Sequence, residues 1–151
     1  MANDLYFINQ GCLRLWFNDD GKDITFQFFV EQQGVSSFES FHNNEPSLFN
    51  LETIEFSHLM VIKKEDYKKL LDRFPDLKEY SIQMLQERFV FYTKLFLSRI
   101  KNSPQERYME LCSLNPAILN RVPNHYIASY LGITPVSLSR IRKRISNINN
   151  G

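Results

Sequence analysis

Apolar and polar positions alternate with a period of two through the first third of this 151-residue chain. Leu13, Leu15 and Phe17 alternate with Arg14 and Trp16, and Ile24, Phe26 and Phe28 with Thr25 and Gln27. Each run therefore reads as a strand with one core face and one wetter face. LYFIN (5–9), CLRLWF (12–17) and DITFQFFV (23–30) are the predicted strands, rich in aromatic and β-branched residues. Gly11 separates the first two. Asn18-Asp19-Asp20-Gly21 separates the next pair, and its Asp-Gly step favours the primed turn of a hairpin. A less regular stretch, EQQGVSSFESFHNNEP (31–46), precedes two more short predicted strands over 47–55 and 57–62. Short strands with frequent turns predict a sandwich or roll.

At Lys63 the period changes to near 3.6. Residues 63–74 predict a short amphipathic helix with Tyr67, Leu70, Leu71 and Phe74 on one side. Pro75 marks a junction, and a long helix is predicted over 76–101. Its apolar residues, from Leu77 through Phe89 and Phe96 to Ile100, cover more than one face, so the helix needs two neighbours. The β region can cover one face, and the same helix of a second copy is the simplest cover for the other. Asn102-Ser103-Pro104 breaks the helix and predicts a hinge. Ser103 and Glu106 have capping-box spacing around Pro104, so a new helix starts there. Asn115-Pro116 and Val122-Pro123 bracket another turn of helix. The fold class is α+β, in segments 1–75, 76–101 and 102–151.

Residues 124–145, NHYIASYLGITPVSLSRIRKRI, predict two short helices joined by a tight turn. Ile127, Leu131, Leu138, Ile141 and Ile145 recur at helical spacing within each half. Ala128 is small where the helices would touch, Gly132 suits a turn with positive φ, and Ile133 can fill the gap between them. Thr134 followed by Pro135 is a helix start. At 100° per residue the second helix buries Leu138, Ile141 and Ile145. It shows Val136, Ser139, Arg140, Lys143 and Asn147 on the far side, with Ser137 and Arg144 on one flank and Arg142 on the other. Such a helix suits the major groove. Arg140 is expected at base edges, helped by Ser137, Ser139 and Lys143, while Arg142, Arg144 and the Thr134 cap are expected at phosphates. The plainer reading is an amphipathic surface helix whose basic residues complement its dipole.

Charge changes the picture further. The whole chain carries 18 basic and 17 acidic side chains, but residues 111–151 hold Arg121, Arg140, Arg142, Lys143 and Arg144 and no acid. The first 110 residues are net −4 and the remainder net +5. That asymmetry points to a polyanion. With no continuous apolar run approaching a membrane span and no secretory signal at MANDLYFI, double-stranded DNA is the better partner and a cytoplasmic location is expected. Two cysteines, Cys12 and Cys112, lie far apart without metal-ligand spacing and are expected as free thiols. There is no Gly-rich phosphate loop, nucleophile elbow or metal-spaced cluster, so no enzyme, catalytic residue, metal site or cofactor is expected.

The order of these elements is similar to that of the Crp/Fnr family, the cyclic AMP receptor protein-like bacterial regulators. ERYMELCSLNPAILNRVPNHYIASYLGITPVSLSRIRKRI (106–145) resembles the Bacteroidetes branch in particular, and LYFINQGCLRLWFNDDGKDITFQFF (5–29) resembles the middle strands of the family's sensor domain. The resemblance implies a cyclic-nucleotide-binding-like jelly roll over 1–75, a dimerisation helix over 76–101, and a helix-turn-helix DNA-binding domain over 102–151. It also implies a homodimer and an effector. The chain departs from the family by starting without the first roll strands and by stopping without sequence for the C-terminal wing. The segment matching the cyclic-nucleotide pocket reads SFES (37–40) and NEPSL (44–48). Glu39 stands for the acid that grips the ribose, but Pro46 replaces the phosphate-binding Arg. A buried phosphate without a cation is costly, so the effector is not expected to be cyclic AMP and its identity is open. Two cysteines are too few for the family's iron–sulfur sensors. The rival reading is a ligand- or protein-binding β-roll module whose helix-turn-helix no longer binds DNA.

Overall fold

A computed structural model of the chain describes residues 1–149. Its first half is two three-stranded antiparallel sheets. Strands β1 (Asp4–Gln10), β4 (Gly34–Val35) and β6 (His58–Lys63) form one sheet, in the order β4-β1-β6. Strands β2 (Leu13–Asp19), β3 (Lys22–Phe29) and β5 (Asn50–Thr53) form the other, in the order β3-β2-β5. Asp20 and Gly21 carry positive φ in the β2–β3 turn, and the Asn18 side-chain oxygen accepts from the Gly21 N–H. That is the local chemistry a tight hairpin requires. Register runs from Leu13 opposite Phe29 to Asp19 opposite Lys22, with an irregularity between Leu15 and Trp16. Ile8, Leu13, Leu15, Phe29 and Val35 are buried together as the core of this half.

The stretch 31–46, expected to be irregular, holds β4 and a short helix α1 (Phe38–Asn43) that ends on Asn44 in the left-handed region. α2 (Lys64–Arg73) follows β6 directly. α3 (Pro75–Lys101) begins one residue before the predicted start, because Pro75 occupies the first helical position, where a missing N–H costs nothing. α4 (Pro104–Leu114) carries the full capping box. The Ser103 hydroxyl accepts from the Glu106 N–H, and the Glu106 carboxylate accepts from the Ser103 N–H at 2.7 Å. α5 (Ile118–Arg121), α6 (Asn124–Leu131) and α7 (Pro135–Asn149) complete the chain. Residues 150–151 of the predicted 102–151 segment lie outside the described residues.

Leu111, Ile118, Ile127, Ala128, Leu131, Leu138 and Ile141 form a second buried cluster, which Cys12 and Phe28 of the first half join. The two ends of the chain thus share packing, with α6 lying against β3. α3 connects them and buries only Ser98 completely. Its half-buried positions, Leu77, Met84, Arg88, Phe91 and Leu95 among them, follow one side of the helix. On the opposite side Ile82, Leu85, Phe89, Phe96 and Ile100 are exposed, Phe89 by 74%.

Candidate nucleic-acid interface

The turn between α6 and α7 is built as its residues demand. Gly132 has φ +68°, the left-handed conformation that a Cβ disfavours, and the Ile133 N–H reaches back to the Ala128 carbonyl at 3.0 Å. Ile133 packs partly buried against the C-terminal core. Thr134 caps α7: its hydroxyl oxygen accepts from the Ser137 N–H at 3.2 Å and lies 3.0 Å from the Ser137 hydroxyl. Leu138 and Ile141 are buried and hold α7 against α6.

The opposite face of α7 is open. Val136, Ser139, Arg140 and Lys143 are exposed and Ser137 is half-buried. Arg144 is exposed on the flank, where it donates to the Gln105 side-chain oxygen at 3.3 Å. Arg142 is placed differently from its companions. It is half-buried, donates to the Asn124 side chain at 2.6 Å, and lies 5.7 Å from the centre of the Tyr108 ring. Its Nε and second Nη are buried without a partner. The structure therefore brings Thr134, Ser137, Ser139, Arg140, Lys143 and Arg144 to one side of α7 and ties Arg142 between α4 and α6.

A junction that the sequence did not reveal fixes how this pair of helices is presented. Arg14, the second residue of β2, is 1% exposed. It pairs with Glu52 at 2.6 Å, donates to the Thr25 hydroxyl at 3.2 Å, and has the Tyr126 ring of α6 stacked 3.6 Å from its guanidinium carbon. The Ser129 hydroxyl accepts from the Thr25 N–H at 2.8 Å and donates to the Asp23 carbonyl at 2.7 Å, so α6 occupies the outer edge of β3. Arg121 of α5 bridges Glu31, at 2.7 and 2.9 Å, and Glu55. The Arg121 hydrogen bond, joined by the Gly11 N–H, holds the Glu31 carboxyl down at about 2, while the two carboxylates hold Arg121 firmly protonated. Cys12 lies beneath, and burial pushes its thiol up to about 11. The one signal available beforehand was Ser129, a polar residue interrupting the apolar run of α6.

Glu39 lies in the first turn of α1. Burial works to raise its carboxyl, but the Ser37 hydroxyl and the Leu48 N–H, both donating to the same oxygen, outweigh that and hold it below the usual range. Among the described residues no helix is long and apolar enough to cross a membrane.

No protein-family model matches the chain, and no curated protein matches it in sequence. Solved structures do match its fold. FixK2 from Bradyrhizobium japonicum superposes with a TM-score of 0.78 at 16% identity, covering 97% of this chain and 76% of that one. CLP, a c-di-GMP-responsive global regulator from Xanthomonas campestris, gives 0.74 at 16% identity, covering 97% and 79%. A protein described as a transcriptional regulator of the Crp/Fnr family, from Eubacterium rectale, gives 0.71 at 18% identity, covering 95% and 69%. At such identities the likeness is one of architecture: this chain has the α+β fold of Crp/Fnr-type regulators, an N-terminal β-roll followed by helices.

Proposed function

We propose that the chain is a DNA-binding transcription regulator of the Crp/Fnr type rather than an enzyme, with residues 1–75 as sensor, 76–101 as pairing helix and 102–151 as reading head. The observation that carries this reading is the outer face of α7. Arg140 and Lys143 stand free there, while Leu138 and Ile141 anchor the helix from behind. Two copies meet through the exposed apolar side of α3, and each presents α7 to the major groove about one helical turn of DNA from the other. Arg140 reaches base edges, with Ser137, Ser139 and Lys143 beside it. Arg144 and the N-terminus of α7 at Thr134 meet phosphate. Arg142 supports this surface from the side through Asn124 and Tyr108. The protein works where DNA is, in the cytoplasm, and cyclic AMP is not its effector.

A gel-shift titration on the gene's own upstream region, repeated across salt concentrations, tests the reading. Arg140, Lys143 and Arg144 from two copies supply six cations. The logarithm of affinity should therefore fall against the logarithm of salt with a slope of about −5 if all six meet phosphates, and about −4 if both Arg140 side chains read bases. Arg140→Ala should cost about 1–3 kcal/mol at the preferred site and relax one base position. Equal weakening on every sequence would make Arg140 a phosphate contact only. Salt-insensitive or absent binding would overturn the regulator and favour a β-roll module that has lost DNA.

A further inference from the structure

A cleft lies between the two halves, away from α1 and away from the outer face of α7. Its volume is about 430 Å³, within the range of small-molecule sites. β3 and the turn after it form one wall, α3 a second, and α4 to α6 the third. Four rings line it, Phe28 from β3, Tyr80 and Phe91 from α3 and Tyr130 from α6. Phe28 and Tyr130 are packed together at 5.4 Å between centroids. Flat apolar walls of this kind favour a flat aromatic guest.

The polar lining narrows the chemistry. Arg88 donates to the Gly34 carbonyl through one nitrogen at 2.8 Å and has further N–H groups beyond that bond. Gln27 and Gln33 each use the side-chain oxygen inside the protein, accepting from the Tyr92 hydroxyl and the Val30 N–H. Their amide NH2 groups are thereby left as the part each can offer a guest. These donors can meet the acceptor oxygens of a ligand, while Gln32 and Asn115, which also line the cleft, bring both donors and acceptors. Glu87 also lines the cleft, so the formal charges of Arg88 and Glu87 cancel. One cation offset by one carboxylate is a poor seat for a phosphate or any other anion.

We propose that this cleft binds an uncharged, planar aromatic molecule carrying a ring carbonyl, held by Phe28, Phe91 and Tyr130 and recognised by Arg88 with Gln27 and Gln33. Such a ligand touches the sheet, α3 and the reading head together. Met84, Arg88 and Phe91 line it from the side of α3 facing away from Phe89 and Phe96, so pairing through that outer stripe leaves the cleft open. Any effector role for such a ligand rests on the regulator proposed above; its binding does not.

Calorimetry on the full-length protein without DNA provides the test, with flavone as the neutral ring ketone. The same-shaped hydrocarbon 2-phenylnaphthalene and the anion flavone-6-carboxylate are the comparisons. Flavone should bind about tenfold or more tighter than either, the worth of one hydrogen bond to a charged donor. Arg88→Gln should remove that advantage, bringing flavone to the affinity of the hydrocarbon, whose own binding stays unchanged and thereby shows that the cleft is intact. Met84→Trp, which fills the space, should abolish all three. Equal binding of flavone and the hydrocarbon to the unaltered protein, preference for the carboxylate, indifference to either substitution, or no binding of any probe would each overturn the proposal. Loss of DNA binding in the gel shift would overturn only the regulator reading.

Discussion

Two glycines show how differently a single Cβ can matter. Gly132 (φ +68°) has open space around it, so an alanine there meets only the backbone penalty of the left-handed region, about 1 kcal/mol. Gly11 (φ +119°) has Ser57 against it; an added Cβ would lie 2.1 Å from the hydroxyl oxygen and 2.8 Å from the Cα, so backbone must move. Gly11→Ala should therefore lower the melting temperature clearly more than Gly132→Ala, whose shift should be about 2–4 °C for a chain of this size. Thermal melts of both variants giving the same loss would contradict the packing at Gly11. Charged residues divide just as sharply. Of the five cations that made the C-terminal segment look basic, Arg121 is engaged by Glu31 and Glu55 and Arg142 by Asn124. Arg140, Lys143 and Arg144 remain exposed on α7.

Among the elements, α3 is where reading by periodicity was most informative. Apolarity on more than one side required two neighbours, and the molecule supplies one, leaving Ile82, Phe89, Phe96 and Ile100 uncovered. Phe89→Glu with Phe96→Glu should convert a dimer to a monomer in sedimentation. The circular dichroism spectrum should barely change, since neither ring is buried within one copy and such surface exchanges cost about 0.5 kcal/mol or less. A wild-type protein that sediments as a monomer at tens of micromolar would end the pairing scheme. Strands and helices whose apolar spacing held for a full turn or several alternations were legible: β1 to β3, α2, α3, and the α6–α7 pair with its Gly132 turn. α1 and β4 were not, because six and two residues are too short to display a period. Placement of Arg142 was hidden for another reason. It sits on the flank of α7, where a helical wheel cannot say whether Tyr108 or solvent will be its neighbour.

At the scale of the molecule, the β-sheet half and the C-terminal helices are joined by a few polar contacts around a shared apolar cluster. Arg121 makes the one with Glu31, which acid can break. Because Glu31 is held down at about 2, against an ordinary 4.5, the stability it contributes is complete above the ordinary value and is lost as pH falls through the range down to 2. Arg121→Gln should melt lower than wild type at pH 7. It should lose less than wild type does on going to pH 3, since the linkage it removes is the one acid would have broken. Parallel losses in the two proteins would show that Glu31 titrates normally. Another of these contacts, Ser129 on the rim of β3, carries a different consequence. Thr25 is fully buried, and its amide proton is given to a hydroxyl belonging to another element altogether. That proton trades for deuterium only when helix and strand part company. One peak in a nitrogen–proton spectrum is therefore a gauge of how often the two halves separate, and Ser129→Ala should make it run fast.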